Sequence, residues 1–152
     1  MKYLFILAIG IIGVACSEEE TTEEAGEKVQ LTQEEFEAKI EAEDEADEAL
    51  EGLTLNLGEK WKVDEGTAAG MEDVKTAVSN FDGEDHESLG KEIKDMLGDI
   101  IKGCTMKGED HDQYHIVLKA MMKESKKLKK GKSTDIIKMQ RYLDAYDAHF
   151  EV

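Results

Sequence analysis

Four runs of apolar residues at helical spacing dominate the second half of the chain. Met71, Val74, Val78 and Phe81 share one face, and Asn80 to Asp85 break the pattern. Leu89, Ile93, Met96, Leu97, Ile100 and Ile101 form a second stripe, ended by Gly103. His111, Tyr114, His115, Leu118, Met121, Met122 and Ser125 form a third, which runs out at Lys129-Lys130-Gly131. Ser133 caps the last, which holds Ile136, Met139, Leu143, Tyr146 and Phe150. Each run is about 15 to 19 residues long and fits a period of 3.6, so each predicts an amphipathic helix. Short connections make sequential helices antiparallel neighbours. The predicted fold is all-α, an up-down four-helix bundle.

Upstream the pattern changes. Leu53 to Leu57 alternates apolar and polar residues, as does Lys60 to Val63, with Gly58-Glu59 between. This alternation predicts a short extended segment or hairpin before the bundle, with Trp61 plugging one end of the core. Thr32 followed by Glu35 is a capping-box pattern, and Phe36, Ile40 and Leu50 lie at loosely helical spacing. A helix there carries acids that repel one another at i,i+4. It either packs on the domain or belongs to a stalk. Residues 17 to 30 are polar and acidic and bury too little apolar surface to offset ordering entropy, so they read as a tether.

Charge sharpens this division. The chain of 152 residues carries 36 acids against 19 bases, a net −17. Residues 17 to 51 hold 16 of the acids against Lys28 and Lys39 alone, net −14, whereas residues 52 to 152 are nearly balanced at −4. The acidity belongs to one segment. It disfavours nucleic-acid binding, because phosphate is repelled. The absence of proline and the abundance of Glu, Lys, Ala, Leu and Met agree with helix.

The first residues, MKYLFILAIGIIGVA, place one lysine before an apolar run too short to span a membrane, followed by small residues and Cys16. Gly13-Val14-Ala15-Cys16 resembles the lipobox of bacterial lipoproteins, although Gly13 stands where that family prefers leucine. The resemblance implies cleavage before Cys16 and its acylation, palmitate included, with anchoring to the outer membrane. Ser17-Glu18-Glu19-Glu20 is similar to the acidic export stretch of Bacteroidetes-type lipoproteins, which implies the periplasmic face or the cell surface. The resulting organisation is a signal peptide over 1–15, a lipidated acidic stalk over 16–51 and a helical bundle over 52–152.

With Cys16 acylated, Cys104 is the only free thiol in a compartment that favours disulfides. Cys104, Met106, His111 and His115 fall within twelve residues. The two histidines are i,i+4 and project from one helix face. A turn through Gly108 is expected to bring Cys104 or Met106 back beside them. Thiolate, thioether and two imidazoles make a soft to borderline donor set that favours copper. If Met106 points away, Glu109 or Asp112 completes a tetrahedral zinc set instead. Asp112 and Tyr114 are alternatively partners that orient the imidazoles, and Met121 and Met122 extend a methionine-lined site. His149 pairs with a facing ligand in a third alternative, noncovalent haem; Cys-x-x-Cys-His is absent. His86, in an Asp-His-Glu turn, reads as solvated.

A cofactor-free surface interaction protein is the competing expectation, with Cys104 and the methionines as packing residues. Catalysis is not expected: His111-Asp112-x-x-His115 lacks the glutamate of a metalloprotease, and no serine elbow or phosphate loop occurs. The lysine cluster (Lys123, Lys126, Lys127, Lys129, Lys130, Lys132) sits at the end of the third helix, where cations complement the macrodipole and the acidic stalk is available to neutralise it.

Overall fold

The computed structural model describes residues 32–128 and 133–152, and all structural statements concern these. The signal segment, the Cys16 lipobox, the tether and the Lys129-Lys130-Gly131-Lys132 turn lie outside the described residues, as does the Ser133 side chain expected to cap the last helix. The described residues form one compact unit. It is an all-α bundle of five helices: α1 (Gln33–Ala49), α2 (Glu65–Ser79), α3 (His86–Gly103), α4 (Glu109–Leu128) and α5 (Ser133–His149). Two short strands, β1 (Trp61–Lys62) and β2 (Phe150–Glu151), complete it.

The core follows the predicted stripes. Met71, Val74 and Val78 of α2 are buried, as are Leu89, Ile93, Leu97 and Ile100 of α3. Tyr114, Leu118 and Met121 of α4 join Met139, Leu143, Tyr146 and Phe150 from the end of the chain. Consecutive helices from α2 to α5 pack against each other and α5 returns to α2, which closes the four-helix core. Asp64 and Asp85 begin α2 and α3 by accepting the Thr67 and Ser88 amides.

Helix α1 packs chiefly on α5 and is part of the folded body. Its capping box is present, with Thr32 and Glu35 bonded reciprocally. Of the expected apolar positions, Leu50 packs against the core and Ile40 does not, while the Phe36 side chain lies outside the described residues. Ala42 and Ala46 are buried while Ile40 is 44% exposed; alanines allow close approach to α5. The acids of α1 find cations across the interface: Lys138 bonds Glu45, and Arg141 holds Asp47 through two bonds of 2.8 and 3.2 Å. Cross-helix pairing thus offsets the i,i+4 repulsion along α1.

The expected hairpin is corrected in its partner. Asn56 and Glu59 form an antiparallel bridge around Leu57 (φ 54°) and Gly58 (φ 96°), a tight turn with both central residues left-handed. Beyond that turn β1 does not return along 53–55. It pairs in parallel with β2, Trp61 opposite Phe150 and Lys62 opposite Glu151. Trp61 does plug the core at 4% exposure, and its indole N–H donates to the Thr54 carbonyl. Gln113 of α4 fastens the approach segment, accepting from the Thr54 amide and donating to the Gly52 carbonyl. His86 is not solvated as expected: it is half-buried at the start of α3, edge-on to Phe81 with centroids 4.7 Å apart. Among the described residues no helix is long and apolar enough to cross a membrane.

Candidate functional site

The α3–α4 turn is built by one carboxylate. Cys104 ends α3 with its amide on the Ile100 carbonyl at 2.9 Å, and its ψ of 124° turns the chain out of the helix. Asp64 Oδ2 then accepts from the Thr105 amide and hydroxyl at 2.8 and 2.9 Å, while its Oδ1 caps α2 through the Thr67 amide at 2.7 Å. Gly108 takes φ +77°, which only glycine adopts freely, and α4 begins. Burial disfavours the Asp64 carboxylate, but the three hydrogen bonds from Thr105 and Thr67 outweigh it and hold its pKa down to about 2 from 3.8.

This sets an acid dependence. A depressed carboxylate stabilises the fold above its unfolded value near 3.8, and the contribution disappears as pH falls toward 2. Partial solvent screening leaves it at about 1 to 2 kcal/mol. Asp64→Asn should therefore lower the urea midpoint at pH 6, and the gap to wild type should close between pH 4 and 2. A constant gap across that range would show that Asp64 does not act through its charge.

The residues expected to form a metal centre divide into two groups. His111 and His115 are both half-buried on α4 with ring centroids 4.1 Å apart, side by side as their i,i+4 spacing requires. Burial, His111 and Lys119 together lower the proton affinity of His115, against a smaller opposing pull from Asp112. Cys104 and Met106 are half-buried in the Asp64-held turn, with Met106 packed against the core. Among the described residues no three His, Cys, Asp or Glu side chains converge on one point. Asp112 is exposed. Met121 is fully buried core rather than a site extension, and Met122 borders a surface groove. His149 lies at the end of α5 with Nδ1 2.8 Å from its own helix's Ala145 carbonyl.

Behind the turn, Tyr114 is 1% exposed and its hydroxyl has no partner. Burial, reinforced by Tyr146, Cys104 and Asp64, pushes its pKa far up. It is a packing residue, edge-on to Tyr146 and Phe150.

Two features escaped the sequence. The first is a groove of about 440 Å³ between α3 and α4, walled by Ile101, Leu118 and Met122 and rimmed by His115, Lys119, Lys123 and Lys126. Ile101 is 48% exposed at its edge, about 100° round α3 from the buried Ile100 and so at the margin of the apolar stripe. The second is a pair of buried acids, Glu124 of α4 and Asp135 of α5. Glu124 follows Val117 and Met121 at core spacing, which marks a charge inside a stripe. Comparison with protein-family models, curated proteins and solved structures finds no match.

Proposed function

We propose that this chain is an exported lipoprotein, anchored to the outer membrane through acyl chains on Cys16, whose bundle binds an acidic, amphipathic helical segment of a partner protein. The α3–α4 groove carries this reading. Its floor is apolar, and Lys119, Lys123 and Lys126 line its rim at i, i+4 and i+7 on a chain of net charge −17. From His115 to Lys126 the α4 wall rises about 16 Å, room for roughly three turns of a docked helix. Lysines beside an apolar trough complement glutamates beside leucines, and such charge matching selects the partner and speeds its encounter.

The test is a titration of the full chain with a labelled peptide of three to four helical turns, leucines on one face and glutamates flanking them. Anisotropy should report saturable binding that weakens with salt. Lys119→Glu together with Lys123→Glu should reduce affinity by about ten-fold or more. Equal binding of a lysine-flanked peptide, or binding to vesicles of anionic phospholipid with none to the peptide, would overturn it. The anchor is checked by incorporation of labelled palmitate, lost in Cys16→Ser.

The adjacent imidazoles favour a second reading, a labile soft-metal site, copper before zinc. A neutral His115 is the ligand-competent form, and its lowered proton affinity keeps it so at neutral pH. Stoichiometric copper binding by the reduced chain that His115→Ala removes would support this reading. Loss in Cys104→Ser as well would extend the site to the thiol, and no binding would end it.

A further inference from the structure

Glu124 and Asp135 meet where the end of α4 faces the first turn of α5, 1% and 3% exposed. Glu124 Oε2 lies 3.2 Å from the Lys127 ammonium, yet its Oε1 has no hydrogen-bond partner, and neither has Asp135 Oδ2. The two carboxyls are within hydrogen-bonding reach of each other. Lys138 of α5, 7% exposed, is engaged by Glu45 of α1. The two buried acids thus each hold an oxygen without a donor. Two ionised carboxylates cannot stably share a dry site. One proton between them converts the repulsion into a short O–H···O bond and fills both orphaned acceptors.

We infer that Glu124 and Asp135 hold a single proton between them, and that this proton latches the start of α5 onto α4 and, through Lys138 and Glu45, onto α1. The latch is distinct from the groove and does not depend on its function. The groups around it are Glu45 on α1, Lys123 and Lys127 on α4, and Lys138 and Tyr142 on α5. Burial is the largest influence on Glu124 and pushes its carboxyl up; Asp135 adds to this, while Lys127 and Lys138 pull down. A carboxyl raised in the folded state contributes its full stability below the ordinary glutamate value of 4.5 and loses it as pH rises through the folded value. Loss of the proton to solvent leaves facing charges, and the α4–α5 junction loosens. The direction is opposite to that of Asp64.

The test is a carboxyl-carbon NMR titration of the full chain, with urea midpoints measured over the same pH range. One resonance, assigned by its loss in Glu124→Gln or Asp135→Asn, should titrate at higher pH than the remaining carboxyls. The wild-type midpoint should fall across that window. Glu124→Gln, which gives Asp135 a permanent N–H donor, should abolish the fall. If that variant does not fold, the wild-type resonances, assigned through bonds, decide alone. Titration of both carboxyls together with the exposed acids, or an unchanged fall in Glu124→Gln, would overturn the latch.

Discussion

Phe150→Ala should lower stability by about 3 to 4 kcal/mol, a large share of what a domain of this size possesses. Phe150 is 3% exposed although it is the third residue from the end of the chain. Its ring stacks on Tyr146 (5.3 Å between centroids, 16° between planes) and meets Tyr114 edge-on (5.8 Å, 83°). Tyr114 and Tyr146 in turn lie edge-on at 6.2 Å. One truncation therefore removes two of three aromatic pairs and leaves a cavity that stiff neighbours cannot fill. The same residue is the register partner of Trp61, and the Val63 amide donates to the Glu151 carbonyl at 2.9 Å, so the two distant strands share this anchor. The thermal midpoint should fall by more than about 10 °C, with Trp61 emission shifting red at lower temperature. Phe150→Leu keeps most of the volume and should cost less than about 1.5 kcal/mol. If Phe150→Ala melts within a few degrees of wild type, the aromatic cluster does not hold β1 to the bundle.

How far such contacts could be read beforehand depends on their range. The helices α2 to α5 were evident because each carries several large apolar residues at a fixed period, and burial of Ile93, Leu97, Met121 and Leu143 follows from that period alone. The side-by-side placement of His111 and His115 was equally local, a consequence of i,i+4 spacing. The face of α1 was not, because Ala42 and Ala46 hardly stand out in a hydrophobicity pattern and their burial depends on how closely α5 approaches. Nor could β1 be matched to β2: parallel pairing across the whole bundle is decided by tertiary packing, whereas Gly58 gives a strong local hairpin signal that persists only as the Asn56–Glu59 bridge. Placing Cys104 and Met106 beside the imidazoles required a turn geometry, and that geometry is dictated by Asp64, about forty residues earlier in the chain.

Two helical glycines should respond to the same substitution with opposite signs. Glycine inside a helix is less favourable than alanine by about 1 kcal/mol, so Gly→Ala normally stabilises. Gly98 in α3 has open space around its Cβ position, and Gly98→Ala should raise stability by about 0.5 to 1 kcal/mol. Gly70 in α2 faces α3, where an added Cβ would overlap Cγ1 of Ile100, with Cδ1 at 2.8 Å. Ile100 is β-branched, buried and confined in its first rotamer, so it cannot swing aside as a lysine would. The helices must move apart instead. Gly70→Ala should thus cost about 1 to 3 kcal/mol despite its better helix propensity, and Gly70→Val more. The cause is isolated by a double-mutant cycle. Ile100→Ala alone should cost about 2 to 4 kcal/mol through its cavity, but combined with Gly70→Ala the total should fall short of the sum by about 1 kcal/mol or more, because the new methyl then enters vacated space. Strict additivity would mean that α2 and α3 are not held at this distance by the Gly70–Ile100 contact.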